Sequence, residues 1–189
     1  MRVFLHFAAV TVLALCTAGA AFAAEIGGVK LDDKVSIDGQ ELVLNGAGIR
    51  TKVFLKIYVV GLYLPQPAKD LPAVFSKAPR RIEMNMLRAL SADQIVDALL
   101  DTMQDNNTPA ELAAVKAQTD QLASLIRAFK EVKEKDVITL DFVDSGTRLG
   151  WNGKNYGTIP GGAFNQALTK IWLGEKPVQA DLKKALLGG

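Results

Sequence analysis

Residues Gly46–Leu64 read GAGIRTKVFLKIYVVGLYL, a run in which one arginine leads into a segment too apolar to face water. With the alternation of an extended chain from Val53 onward, Phe54, Lys56, Tyr58, Val60 and Leu62 point one way. Val53, Leu55, Ile57, Val59 and Tyr63 point the other. Both sides are mostly apolar, which predicts a strand from Val53 to Leu64 covered on both faces. Arg50 lies just ahead of it. Two readings of Arg50 stand. It is a strand-end arginine pairing with a surface acid, as exposed arginines commonly do, or a cation at the mouth of an apolar layer, placed to hold a carboxylate or enolate whose remainder is hydrophobic.

Composition limits the chemistry. The chain of 189 residues has one histidine and one cysteine, His6 and Cys16. Both fall in an N-terminal stretch where Arg2 precedes an apolar run from Val3 to Ala20 and the small-x-small sequence Ala21-Phe22-Ala23. That pattern predicts a secretory signal peptide over residues 1–23 and a periplasmic protein beginning near Ala24, with an uncleaved anchor as the alternative. Leu15 before Cys16 is too large for a lipid-attachment site. Residues 24–189 then carry neither thiol nor imidazole. A typical zinc site, a Ser-His-Asp or Cys-His nucleophile pair, a disulfide and a redox dithiol all require them. No metal or cofactor is expected. Without Arg2, 21 basic residues face 20 acids, and the longest basic runs are the pairs Arg80-Arg81 and Lys183-Lys184, so nucleic acid is not an expected partner. No repeat, linker or low-complexity tract interrupts the remainder, which reads as one domain over residues 24–189.

A coarse reading places strands first, then helices, strands again and helices last. Val35–Ile37 and Leu42–Leu44 predict a hairpin about Gly39-Gln40, with Ile37 opposite Leu42 and Val35 opposite Leu44. Pro65 and Pro67 stop the long strand. Arg80–Leu87 alternates, with Ile82, Met84 and Met86 on one side. Ser91 with Gln94 makes a capping box ahead of a stripe of Ile95, Val96, Leu99, Leu100 and Met103. Thr108, Pro109 and Glu111 start a second helix, whose apolar face runs from Leu112 to Phe129. Asp136–Val143 returns as a strand, and Arg148–Ile159 forms a hairpin about Asn152-Gly153. Two closing helices carry Phe164, Ala167, Leu168, Ile171 and Trp172, then Leu182, Ala185 and Leu186, ended by Gly188. Segregated strands and helices predict α+β: an antiparallel sheet with helices packed on it.

This order, together with GAGIRTKVFLKIYVVGLYL and the closing FNQALTKIWLGEKPVQADLKKAL, resembles the chalcone isomerase-like proteins over nearly all of residues 24–189. The matching features are a Gly-rich turn delivering Arg50, a strand from Lys56 through Gly61 to Tyr63, Gly174-Glu175, and Asp181-Leu182-Lys183. The resemblance implies the open-faced β-sandwich of that family, an antiparallel sheet with helices on one face. In the plant enzymes an arginine steadies an attacking oxyanion while hydroxyl groups hold a water network. Carried over residue by residue, the arginine falls on Arg50 and a strand threonine on Tyr58. A tyrosine after a Leu-Ser pair falls on Ile95, a late-helix threonine on Ile171, and a further polar position on Thr102. Two hydroxyls are thus replaced by isoleucines.

A pocket with one cation, one phenol and otherwise apolar walls suits an amphiphile with an acidic head better than a polyphenol. Non-catalytic members of the family bind fatty acids, and the resemblance implies the same here. Arg50 would hold the carboxylate, Tyr58 and Thr102 would add polar contacts, and Ile95 and Ile171 would line the space for the tail. The alternatives are an intramolecular lyase or isomerase in which Arg50 stabilises an oxyanion and Tyr58 acts as acid or base, and a scaffold that packs on another envelope protein, of which the sequence names none. Other suggestive residues have plain readings. Trp151 and Tyr156 pack across the Asn152-Gly153 hairpin. Met84 and Met86 fill the core. Asp97, Asp101 and Asp105 form a solvated helix face, and Asp144 is a turn residue beside Gly146.

Overall fold

The computed structural model describes residues Ala24–Gly189; the expected signal peptide over residues 1–23 lies outside them. Among the described residues a seven-stranded, wholly antiparallel sheet is covered by helices on one face. Its strands are β3 (Lys34–Ile37), β4 (Gln40–Lys52), β5 (Leu55–Leu64), β6 (Arg80–Met86), β9 (Val137–Val143), β10 (Gly146–Trp151) and β11 (Lys154–Ile159). Across the sheet the order is β11-β10-β9-β6-β5-β4-β3. Two short ribbons complete the strands, β1 (Ala24–Ile26) with β2 (Val29–Leu31), and β7 (Leu90–Ser91) with β8 (Glu131–Val132). The helices are α1 (Leu71–Phe75), α2 (Ala92–Asn106), α3 (Pro109–Ala114), α4 (Lys116–Arg127), α5 (Gly162–Leu173) and α6 (Ala180–Leu186).

Alternation sorts the sheet into two layers. Val60, Leu62 and Leu64 of β5, Ile82, Met84 and Met86 of β6, and Ile138, Leu140 and Phe142 of β9 meet Val96 and Met103 of α2, Leu122 of α4, and Phe164, Leu168, Ile171 and Trp172 of α5 in one continuous core. The opposite face carries a smaller cluster of Ile37, Leu42, Tyr63 and Val143. Arg81 grips Asp141 there through two bonds of 2.5 and 2.8 Å, and Arg148 holds Asp38. The turn of the β1–β2 ribbon brings Gly27 against Ile49 and Val59, covering part of this face. Val59, Leu62 and Tyr63 are accordingly fully buried, as the two-sided apolar pattern of β5 predicts.

Both N-terminal helix signals are realised. Ser91 and Gln94, and Thr108 and Glu111, form reciprocal capping boxes. The second helix breaks at Val115 into α3 and α4. Leu100, placed on the buried stripe by sequence, is 38% exposed. Asp97, Asp101 and Asp105 lie exposed along α2, and Trp151 and Tyr156 pack with Phe129 at ring separations of 4.4 to 5.6 Å.

Three corrections concern β3 to β5. The first turn is Asp38-Gly39, so Val35 faces Leu42 and Ile37 faces Gln40. β5 begins at Leu55, because Val53 and Phe54 form the tight turn that joins it to β4. The Gly46–Gly48 segment is not a turn but the middle of β4. A Cβ on Gly46 would fall 2.1 Å from the Ala185 carbonyl oxygen, and one on Gly48 would fall 2.8 Å from Leu182. These glycines let α6 lie directly on the strand.

Candidate functional site

Arg50 and Tyr58 are brought together by strand pairing. They occupy opposite positions in the β4–β5 register, which puts both side chains on one face of the sheet. Tyr58 packs against the core under the helices, so that face is the helical one. On β4 the same face carries Gly46, Gly48 and Arg50 in succession, and the first two are occupied by α6. Arg50 is therefore the first side chain to emerge where α6 ends its contact.

Its neighbours are neutral. Arg50 Nη1 donates to the Thr51 carbonyl and, at 3.4 Å, to Gln179 Oε1. Gln179, the residue just before α6, also accepts from the Thr51 amide at 2.9 Å and donates to the Ile49 carbonyl at 3.4 Å. One amide side chain thus bridges α6 to the end of β4. Among the described residues no carboxylate lies within 4 Å of the guanidinium. The reading in which Arg50 pairs with a surface acid is not realised.

The phenol is held from α5. Trp172 Nε1 donates to Tyr58 Oη at 3.1 Å. Burial pushes the Tyr58 phenol up, with the Trp172 hydrogen bond and the Arg50 charge pulling the other way. Tyr58 is therefore a neutral phenol at neutral pH, a hydrogen-bond donor rather than a base. Ile171, beside Trp172, is buried, and Ile95 is half-buried against the same core. Thr102 stands apart from the polar pair: its hydroxyl donates to the Ala98 carbonyl one turn back at 2.8 Å. One turn further along α2, Asn106 donates to the Lys176 carbonyl and accepts from its amide, fastening α2 to the α5–α6 connection.

Two surface hollows lie elsewhere. One of about 610 Å³ is bordered by Lys69, Glu175, Lys183 and the C-terminal glycines; the other, about 100 Å³, lies between α3 and α5. Neither is lined by Arg50, Tyr58, Ile95, Thr102 or Ile171. Arg50 and Tyr58 are half-buried, and Gln179 and Trp172 each bond one of their polar atoms.

Sequence reasoning missed those two partners. Trp172 read as one member of a core stripe, and its indole N–H was the clue, since a buried indole seeks an acceptor. Gln179 gave no signal. Arg80 was also missed as a buried cation. It is 5% exposed, its guanidinium lies 4.8 Å from the Phe142 ring centre, and burial draws its pKa down to about 10.

With this geometry in place, the comparisons with known proteins are specific. A model of the chalcone isomerase-like family matches residues 23–188, and the chain belongs to that family. No curated protein sequence matches it. Among solved structures, a fatty-acid binding protein of Arabidopsis thaliana superposes with a TM-score of 0.68 at 14% sequence identity, covering 85% of this chain and 92% of that one. At that identity the likeness is one of fold.

Proposed function

We propose that this protein binds a fatty acid or a similar amphiphilic carboxylate, with Arg50 receiving the carboxylate and the apolar layer between the sheet and helices α2 and α5 parting to receive the chain. The observation that carries this reading is the pairing of Arg50 and Tyr58 on the helical face, where the guanidinium has only neutral partners. A positive charge held this way is completed by an anion, and its five planar donors match a carboxylate. Tyr58 supplies a second donor once its hydroxyl is turned to the ligand, and Ile95 and Ile171 meet the chain. Thr102 faces the ligand only if its hydroxyl leaves the Ala98 carbonyl. Entry of the chain requires Trp172 and Gln179 to release Tyr58 and Arg50.

The fold of a fatty-acid binding protein supports the lipid reading. The neutral, enclosed phenol weighs against the isomerase alternative, which needs a base beside Arg50. The apolar run and small-x-small sequence of residues 1–23 support export to the periplasm.

Native mass spectrometry of the protein isolated from cells tests both statements. The expected result is a chain beginning near Ala24 that carries one acyl chain in stoichiometric amount. A chain beginning at Met1 overturns export. A ligand-free protein that takes up no added fatty acid overturns binding.

A further inference from the structure

Three tight two-residue turns close hairpins of the central sheet, each with both residues at positive φ. The pairs are Asp38-Gly39 (φ 50 and 84), Asn152-Gly153 (50 and 77) and Val53-Phe54 (47 and 67). The first two have the Asx-Gly composition that this backbone favours. The third places a β-branched residue and an aromatic in the left-handed region, where such side chains are strained. Nor are these side chains buried in return: Val53 is 79% exposed, Phe54 96% and Leu55 52%. The tip is therefore poor for folding and apolar toward the outside. Lys52 and Lys56, both exposed, flank it.

The surroundings are predominantly basic. Strand pairing brings to this end of the sheet the residues after β6, those before β9 and the β10–β11 turn, and two backbone bonds, Leu87 N to Ile57 O and Lys135 N to Met86 O, tie the first two segments there. Lys52, Lys56, Arg88, Lys133, Lys135 and Lys154 thus lie along the tip's end of the sheet, against Glu134 and Asp136.

We propose that the Val53-Phe54 tip is a membrane anchor, inserting its apolar side chains into the surface of an anionic phospholipid bilayer while the surrounding basic residues meet the headgroups. Shape and charge favour a bilayer over a protein. Three apolar side chains fall short of the roughly 800 Å² per partner that a stable protein interface buries. A few inserted apolar side chains and a cluster of lysines suffice for reversible attachment to anionic lipid. Arg50, four positions before Phe54, would then stand close to the bilayer, but the docking claim holds whether or not Arg50 binds an acyl chain.

A tryptophan at the tip reports its own environment, whatever else on the chain touches lipid. The Phe54→Trp protein, isolated from cells, is mixed with vesicles of phosphatidylglycerol and phosphatidylethanolamine or of phosphatidylcholine alone. The expected result is a blue-shifted emission, quenched by lipids brominated on the acyl chain, on the anionic vesicles, with an affinity that falls about fivefold for each of Lys52→Gln and Lys56→Gln. The double change Val53→Asn, Phe54→Gly should raise the melting temperature by relieving the turn and yet weaken vesicle association. Emission at position 54 that ignores vesicles, or responds equally to both compositions, overturns the proposal. So does self-association lost on Phe54→Ser, which would make the tip a contact between copies of the protein.

Discussion

At the scale of single residues, the site contrasts a cation with neutral partners and a phenol held in its protonated form. Tyr58 has a folded-state pKa raised above its unfolded value, chiefly by burial. The folded state therefore keeps the phenolic proton longer than the unfolded chain. The stability this represents is fully present below about pH 10 and is lost as pH rises through the folded pKa. Urea unfolding between pH 9 and 12 should give a parent curve that falls with pH and a Tyr58→Phe curve whose slope is shallower by up to about 1.4 kcal/mol per pH unit. Equal slopes would mean that Tyr58 is open to solvent and free to serve as a base. Arg50 and Tyr58 were legible as residue types, and their adjacency was not, because it depends on a hairpin turn whose two residues look like strand. Val53 and Phe54 fit the alternating apolar pattern, and only the backbone reveals them as the turn.

At the scale of elements, capping chemistry and the Asn152-Gly153 turn were read correctly because their signals are local, whereas the Asp38-Gly39 turn was placed one residue late. Ser91 with Gln94 and Thr108 with Glu111 need only their own first turns, and Asn152-Gly153 fixes its hairpin unaided. The glycines of β4 are a different matter. The family resemblance implied a turn at Gly46 and Gly48, yet here a helix from the far end of the chain lies on them. A contact between residues so distant in sequence leaves no local pattern. Gly46→Ala should destabilise the protein by about 3 kcal/mol, since the added methyl meets backbone rather than a movable side chain. Gly162→Ala, in the first turn of α5 with open space around it, should instead be neutral or stabilising by up to about 1 kcal/mol. Chemical denaturation checks both, and a neutral Gly46→Ala would mean that α6 does not lie on β4 as described.

At the scale of the whole molecule, an antiparallel sheet with its helices on one face was readable from the order and periodicity of the segments, and the match over residues 23–188 bears out the family. The partners of the two site residues were not readable. They are Gln179 and Trp172, which reach Arg50 and Tyr58 from segments that follow the strands by more than a hundred residues. This arrangement connects architecture to the proposed function: the sheet sets a cation beside a phenol, α6 begins just short of the cation, and α5 supplies the phenol's hydrogen-bond partner, the contact that the proposed ligand would replace. The most direct test is calorimetric titration of a long-chain fatty acid into the parent, Arg50→Ala and Arg50→Lys, with melting curves to verify folding. Arg50→Ala should weaken binding by about 2 to 4 kcal/mol, because it removes one partner of a charge-assisted bond. Arg50→Lys should recover part of that loss, since an ammonium cannot make the two-pronged contact. Equal affinity in all three folded proteins would contradict the account.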